Sequence, residues 1–344
     1  LPSGLPLIGI TMGDPAGIGP EIAAKALSES RIYRICRPLI IGDARVIQLA
    51  CEIVRVGLDL NPVKSPGEGK YEFGTIDVLD LGNVKIENLT YGKMSKMGGQ
   101  ASLDYINQAI NLARTGCIDA VTTGPIHKQA IHLAGSSYPG HTEMFAQQTG
   151  TRDYAMMLVV GNLRVVHVTT HVALNEVPSL IKKERILKVI RLAHQAMIGL
   201  KIKNPRILVL GLNPHASDGG LFGSEEEREI IPAVCQARDE GILANGPLPP
   251  DTALLKLRSE EYDVAVAMYH DQGHIPLKLL AFDWNAHSGK WKSVRGVNVT
   301  LGLPMVRTSV DHGVAFDRAG QGTASPDSLL QAIELAALLV SAQK

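Results

Sequence analysis

Short runs of apolar and β-branched residues recur along the chain, and each stops abruptly at a polar or glycine- and proline-rich loop. The clearest are Leu7-Ile-Gly-Ile-Thr11, Ile118-Asp-Ala-Val-Thr122, Leu163-Arg-Val-Val-His-Val-Thr-Thr170, Arg206-Ile-Leu-Val-Leu-Gly211 and Val264-Ala-Val-Ala-Met268. Apolar runs of this length read as strands buried on both faces, which is the condition of a parallel sheet covered by helices. Helical stripes lie between them, at Leu103, Ile106, Ile110 and Ala113 and at Ile186, Val189, Ile190, Ala193 and Met197. Spacings of three and four residues place each set on one core-facing side. Together these patterns confine the chain to the α/β class. In open α/β sheets ligands bind beyond the carboxyl ends of strands, so the loops after these runs are where chemistry is expected.

Composition adds limits. With 344 residues, 45% of them hydrophobic, and 34 basic residues against 34 acidic ones, the chain has enough material for one large or two medium domains. The charge balance gives no electrostatic case for nucleic acid. No apolar run approaches the ~20 residues that cross a bilayer. The N-terminus lacks a charged segment followed by an apolar one, so a cytoplasmic protein is expected. Cys36, Cys51, Cys117 and Cys235 are scattered without a C-x-x-C pair and read as reduced thiols.

Three of the apolar runs deliver a histidine at or just past the end: His171, His215 and His270. Imidazoles meeting from three strand ends suit a divalent metal that keeps a fourth position open for substrate. The competing reading of each, taken singly, is a hydrogen-bonded structural histidine. The i,i+4 pairs His270/His274 and His167/His171 are not read as helical metal pairs. Asp271-Gln272-Gly273 is poor helix sequence, and the β-branched run up to Thr170 favours a strand.

Other loops carry further candidates. Met12-Gly-Asp-Pro-Ala-Gly-Ile-Gly-Pro-Glu21 follows the first strand, with Pro20 and Glu21 suited to a helix start. Its spacing is not G-x-G-x-x-G, and it is either a ligand loop or a tight turn. Tyr138-Pro-Gly-His-Thr-Glu143 reads either as an anion seat using His141 and Thr142 or as a helix capped by Thr142. Asp251, after Gly246-Pro-Leu-Pro-Pro250, is either a presented carboxylate or an N-cap. Glu225-Glu-Glu227 reads as an acidic first helical turn. Phe282 to Gly296 is a polar excursion holding both tryptophans, suited to a lid or a subunit contact. Asn298, Arg307, Thr308, Ser309, Asp311 and His312 sit among core-type residues. Arg307 with Lys278 suits an anionic substrate held by charge-assisted hydrogen bonds.

Several of these segments together resemble the 4-hydroxythreonine-4-phosphate dehydrogenase family. They are Met12 to Glu21, Pro139-Gly-His-Thr-Glu143, Thr170-His171, Leu212-Asn-Pro-His215, Tyr269-His-Asp-Gln-Gly273 and Arg307-Thr-Ser-Val-Asp-His-Gly313, in order over nearly the whole chain. The resemblance implies two α/β/α domains, as in isocitrate and isopropylmalate dehydrogenases, with an active-site cleft between them in a homodimer. The expected division is residues 1–130 with 300–344, and residues 131–299 carrying the metal histidines. It further implies a divalent cation (zinc, or magnesium, cobalt, nickel or manganese) on His171 and His215 with His270 of the partner subunit. Substrate contacts are implied for His141, Thr142, Lys278, Asn298 and Arg307.

Thr151-Arg-Asp-Tyr-Ala-Met156, Pro249-Pro-Asp-Thr252 and Gly273-His-Ile-Pro-Leu-Lys278 look closer to the branch of that family acting on D-threonate or D-erythronate 4-phosphate. Ser217-Asp218, Val314 and the long 282–296 excursion depart from the family pattern. The expected reaction is NAD-dependent, metal-dependent oxidation and decarboxylation of a phosphorylated 3-hydroxy acid, giving dihydroxyacetone phosphate and carbon dioxide. Lys278 or Asp251 moves the proton. The alternatives are 4-hydroxythreonine-4-phosphate oxidation in pyridoxal phosphate synthesis, oxidation of a dihydrodiol carboxylate on the same fold, and a zinc-dependent aldolase or lyase. No dinucleotide fingerprint locates the nicotinamide.

Overall fold

The computed structural model describes residues 4–285, 290–294 and 296–342. In chain order its main elements begin β1 (Leu7–Thr11), α1 (Gly19–Leu27), α2 (Ser30–Ile35), β2 (Arg37–Gly42), α3 (Ala44–Val54), β3 (Asp59–Val63) and β4 (Thr75–Asp80). They continue with α4 (Lys96–Arg114), β5 (Ala120–Thr123), α5 (Lys128–Leu133), α6 (His141–Gln148), β6 (Ala155–Val160), β7 (Leu163–His167), α7 (Val177–Leu180) and α8 (Lys183–Gly199). Then come β8 (Arg206–Leu210), α9 (Ile231–Asp239), β9 (Leu243–Leu248), α10 (Pro250–Arg258), β10 (Val264–Ala267) and α11 (His270–Ala281). The chain closes with β11 (Phe282–Asn285), β12 (Lys290–Val294), β13 (Val297–Leu301), β14 (Val306–Val310) and α12 (Asp327–Ser341).

The chain divides into two compact units, residues 1–152 with 303–344 and residues 153–302. The crossing at Arg152 comes later than the expected 130, because α5 and α6 pack on α4 and stay with the first unit. In that unit the strands run in the order β3, β4, β2, β1, β5, β14. Every pair among them is parallel. β1 is buried along its whole length, as the two-sided apolar run requires. α4 is capped by Ser95, whose Oγ accepts from the Gly98 amide at 3.0 Å, and it buries the expected Leu103, Ile106 and Ile110.

The Met12 to Gly19 segment is a close-packed turn. The Asp14 amide donates to the Pro125 carbonyl at 2.9 Å and the Ile18 amide to the Val314 carbonyl at 3.0 Å. Gly13 has φ 78° and lies against Pro125, where a side chain would be strained and obstructed. Glu21 lies in the first turn of α1, as expected, and is 1% exposed. It accepts from the Gly320 and Gly322 amides at 2.6 and 2.7 Å, pinning the distant 320s loop onto α1.

In the second unit the order is β13, β6, β7, β10, β8, β9. β13 with β6 and β6 with β7 are antiparallel, whereas β7 with β10, β10 with β8 and β8 with β9 are parallel. Leu158, Val165, Leu208, Leu210, Ala265 and Leu277 form part of its core. Each of the leucine and valine side chains contributes roughly 1.5–3 kcal/mol by leaving water. The 282–296 excursion contains the antiparallel pair β11 and β12, with Trp284 opposite Trp291 in register. Residues 286–289 and 295 of that excursion lie outside the described residues. Among the described residues no helix is long and apolar enough to cross a membrane.

Candidate functional site

The strand order of the second unit sets the site. β7, β10 and β8 are adjacent and parallel, with Ala267 beside His167 and Val266 beside Val209, so their carboxyl ends share one edge of the sheet. β7 ends at His167, and His171 follows in a bend. β10 runs through Met268 into His270, the first residue of α11. β8 leads to His215 within Pro214–Asp218. His270 therefore belongs to the middle strand. Its ring centroid lies 5.7 Å from that of His171. A cavity of about 530 Å³ is lined by Thr170, His171, Tyr269, His270 and Asp271. The His215 ring lies beside that of Phe222, with centroids 6.4 Å apart. Among the described residues of one chain, no group of three ligands is gathered.

The donor chemistry fits a divalent cation at His270. Its Nδ1 lies 2.7 Å from Asp271 Oδ1; the carboxylate accepts, so Nδ1 carries the proton and Nε2 keeps its lone pair. A carboxylate behind an imidazole is the usual support of a metal-binding histidine. His215 is presented by unusual backbone. His215, Ala216, Ser217 and Asp218 have φ of 54°, 55°, 71° and 47°, a left-handed stretch that non-glycine residues adopt at an energetic cost and that gathers at functional sites.

Glu226 secures the approach to that stretch. It is 1% exposed, and its Oε1 accepts from the Leu212 and Asn213 amides at 2.8 and 2.7 Å while Oε2 accepts from Asn213 Nδ2 at 2.8 Å. Glu226 lies in the acidic first helical turn expected over Glu225-Glu-Glu227, with its side chain buried. An acidic triplet after a glycine-rich loop gives no local sign that its middle member turns inward.

α11 corrects the judgement that Asp271-Gln272-Gly273 is not helical. His270–Ala281 is a helix, because tertiary contacts outweigh propensity. Gln272 Oε1 accepts from the Met268 amide and Gln272 Nε2 donates to the Gly211 carbonyl, both at 2.7 Å. The helix thereby ties β10 to the loop after β8. A Cβ on Gly273 would sit 2.5 Å from His167 Nε2, so glycine lets α11 lie flat on β7.

The same helix brings His274 over His270, with ring centroids 3.8 Å apart and planes within 9°. It also brings His274 Nδ1 to 3.2 Å from His167 Nε2. Burial is the main cause that pushes His167 down to about 4 and His274 down to about 3, so both rings are neutral near pH 7. His167 and His274 were not read as functional. The visible sign was a histidine inside an apolar strand run, which has to find a polar partner once buried.

The residues expected to form an anion seat lie in the first unit. Arg307, on β14 beside Val121, is 3% exposed. Its Nη2 donates to Thr123 Oγ1 at 2.7 Å and its Nη1 to Thr142 Oγ1 at 3.3 Å. The guanidinium lies 5.5 Å from the Phe145 ring centroid. Burial lowers its pKa to about 10, which leaves it charged at neutral pH. Thr142 is not a helix cap: Gly140 is the N-cap of α6 and no side chain caps it. His141 Nε2 is buried with no hydrogen-bond partner among the described residues. Burial first, then Arg307 and Lys128, pushes the His141 pKa well below the ordinary histidine value. A buried cation, a hydroxyl and a neutral imidazole are what an anionic oxygen needs.

The remaining predicted residues are more dispersed. Lys278 is half-buried on α11, eight residues after His270 and four after His274, hence on their face of the helix. Asp251 is exposed in the first turn of α10, not its cap, since Pro249 holds that position. It lines a different cavity of about 530 Å³ with Tyr269, Gln272 and Ile275. Asn298 is half-buried on β13 opposite Leu158. Lys278 and Asn298 belong to the second unit, and His141, Thr142 and Arg307 to the first.

Comparison with known proteins identifies relatives along nearly the whole chain. A D-threonate 4-phosphate dehydrogenase of Cupriavidus necator is 46% identical over 338 residues, covering 98% of each chain. A 4-hydroxythreonine-4-phosphate dehydrogenase of Desulforapulum autotrophicum is also 46% identical, over 334 residues, 97% of this chain and 95% of that one. Among solved structures, the 4-hydroxythreonine-4-phosphate dehydrogenase of Klebsiella pneumoniae aligns with TM-score 0.87 and 40% identity, covering 99% of this chain and all of that one. Residues 34–336 match the family described as pyridoxal phosphate biosynthetic protein PdxA, and the chain belongs to that family, whose members named here are dehydrogenases.

Proposed function

We propose that the chain is an NAD-dependent dehydrogenase that oxidises and decarboxylates D-threonate 4-phosphate or D-erythronate 4-phosphate to dihydroxyacetone phosphate and carbon dioxide. The observation carrying this reading is the convergence of three adjacent parallel strands, β7, β10 and β8, on one histidine each. His171 and His215 with His270 of the partner subunit are the proposed ligands of a divalent cation. A bound cation supplies Lewis acidity at the substrate hydroxyl and the ketone formed from it, and the nicotinamide takes the hydride. Arg307, Thr142 and His141 bind and orient an anionic group of the substrate.

Lys278, on the face of α11 that carries His270, is the residue proposed to take the hydroxyl proton and return it to carbon after carbon dioxide leaves. Asp251 lines the other cavity, whose lining includes none of the three histidines, and is the second choice. Sharing a site requires a homodimer, and α10 and α11 support one: Leu255, Ile275 and Leu279 are 64%, 57% and 76% exposed, an apolar surface suited to a second copy.

The test combines protein, divalent metal and NAD with D-threonate 4-phosphate, D-erythronate 4-phosphate and 4-hydroxythreonine 4-phosphate in turn. Reduced nicotinamide and carbon dioxide in equal amounts from a threonate or erythronate ester support the reading. Preference for 4-hydroxythreonine 4-phosphate moves the assignment to the activity named for the Desulforapulum relative. Carbon–carbon cleavage with no nicotinamide reduction replaces the dehydrogenase with a lyase.

A further inference from the structure

We infer that His167 and His274 act together as positioning residues that hold the ring of His270, a role that rests on the metal reading above. The hydrogen bonds fix the state of both rings. His167 Nδ1 lies 3.2 Å from the Met156 carbonyl oxygen. A carbonyl only accepts, so His167 carries its proton on Nδ1 and its Nε2 is bare. His274 Nδ1 lies 3.2 Å from that bare Nε2 and 3.2 Å from the His270 carbonyl oxygen. Both neighbours accept, so His274 also carries its proton on Nδ1.

The chain from the Met156 carbonyl through His167 to His274 thus has a single direction, and it fixes the plane of the His274 ring. That plane lies against His270, 3.8 Å away and nearly parallel. Asp271 fixes the Nδ1 edge of the same ring. His270 is therefore constrained on one face and one edge, and Nε2 is the nitrogen left for a ligand bond.

Packing alone gives no reason for this pair. His167 is fully buried and His274 is 5% exposed, and a Cβ on Gly273 would meet Val165 Cγ1 at 2.6 Å. An aliphatic pair would fill such a place without polar atoms to satisfy. Two buried imidazoles that point their order at a third have a use if the third must not rotate.

Two measurements on the full-length protein test the pair. Nitrogen-15 NMR of the metal-free protein should show His167 and His274 each protonated on Nδ1. Titration with cobalt(II), followed by calorimetry and by its absorption spectrum, should show affinity falling roughly 10–100-fold in His167→Leu and in His274→Phe. The double variant should lose no more than either single one, since the two act as a unit.

A correctly folded His274→Phe that binds cobalt like the wild type overturns the positioning role and leaves the metal reading intact. Should His274→Phe not fold, His167→Leu and the NMR of the wild type decide alone, and Nε2 protonation on either ring is equally decisive against the role. Wild-type protein that takes up no cobalt overturns both readings together.

Discussion

At the scale of single residues, burial decides what a charged or titratable group is for. Arg307 is held by two threonine hydroxyls and lies near a phenylalanine ring, so its planar, multi-donor head is matched to an anion in a way an ammonium is not. Arg307→Lys is expected to raise KM for the phosphorylated substrate about tenfold or more, from the loss of a charge-assisted hydrogen bond. Steady-state kinetics against substrate concentration checks it, with melting temperature as the control for folding.

His167 and His274 give a pH dependence with a definite sign. Their folded-state pKa values are depressed below 6.5, chiefly by burial, so the unfolded chain binds more protons and stability falls as pH drops through the range below 6.5. Urea unfolding should give a lower midpoint at mildly acidic pH than at neutral pH. The fall should be smaller in His274→Phe.

At the scale of elements, α11 and the stretch around His215 go against local preference, and each is held by a specific side chain from elsewhere. α11 contains Gly273 and Pro276 and is anchored by Gln272, whose amide bonds both Met268 and Gly211. Gly273→Ala is expected to destabilise by about 1–3 kcal/mol through overpacking against Val165 and His167, read as a shift in urea midpoint. The left-handed residues at His215 are supported through Glu226. Glu226→Leu leaves the part-buried Leu212 and Asn213 amides without their carboxylate acceptor, which costs about 1–3 kcal/mol in all. Differential scanning calorimetry should show the corresponding fall in melting temperature.

At the scale of the whole molecule, the proposed homodimer would use the exposed leucines and isoleucine of α10 and α11. Leu279→Glu should turn a dimer into a monomer in light scattering and abolish activity with it, because the proposed metal site draws His270 from the partner subunit. The sequence by itself determined the α/β class, the strands and the three histidines after them, because two-sided apolar runs and the residues ending them are local properties. It also carried the family resemblance, since those motifs lie along nearly the whole chain. Tertiary structure alone decided that β10 lies between β7 and β8, that Glu21 and Glu226 turn inward, and that His270 to Ala281 is a helix with His274 against His270. Each of those depends on contacts between residues far apart along the chain, and strand order, burial and side-chain partnership have no signature within a short stretch of sequence.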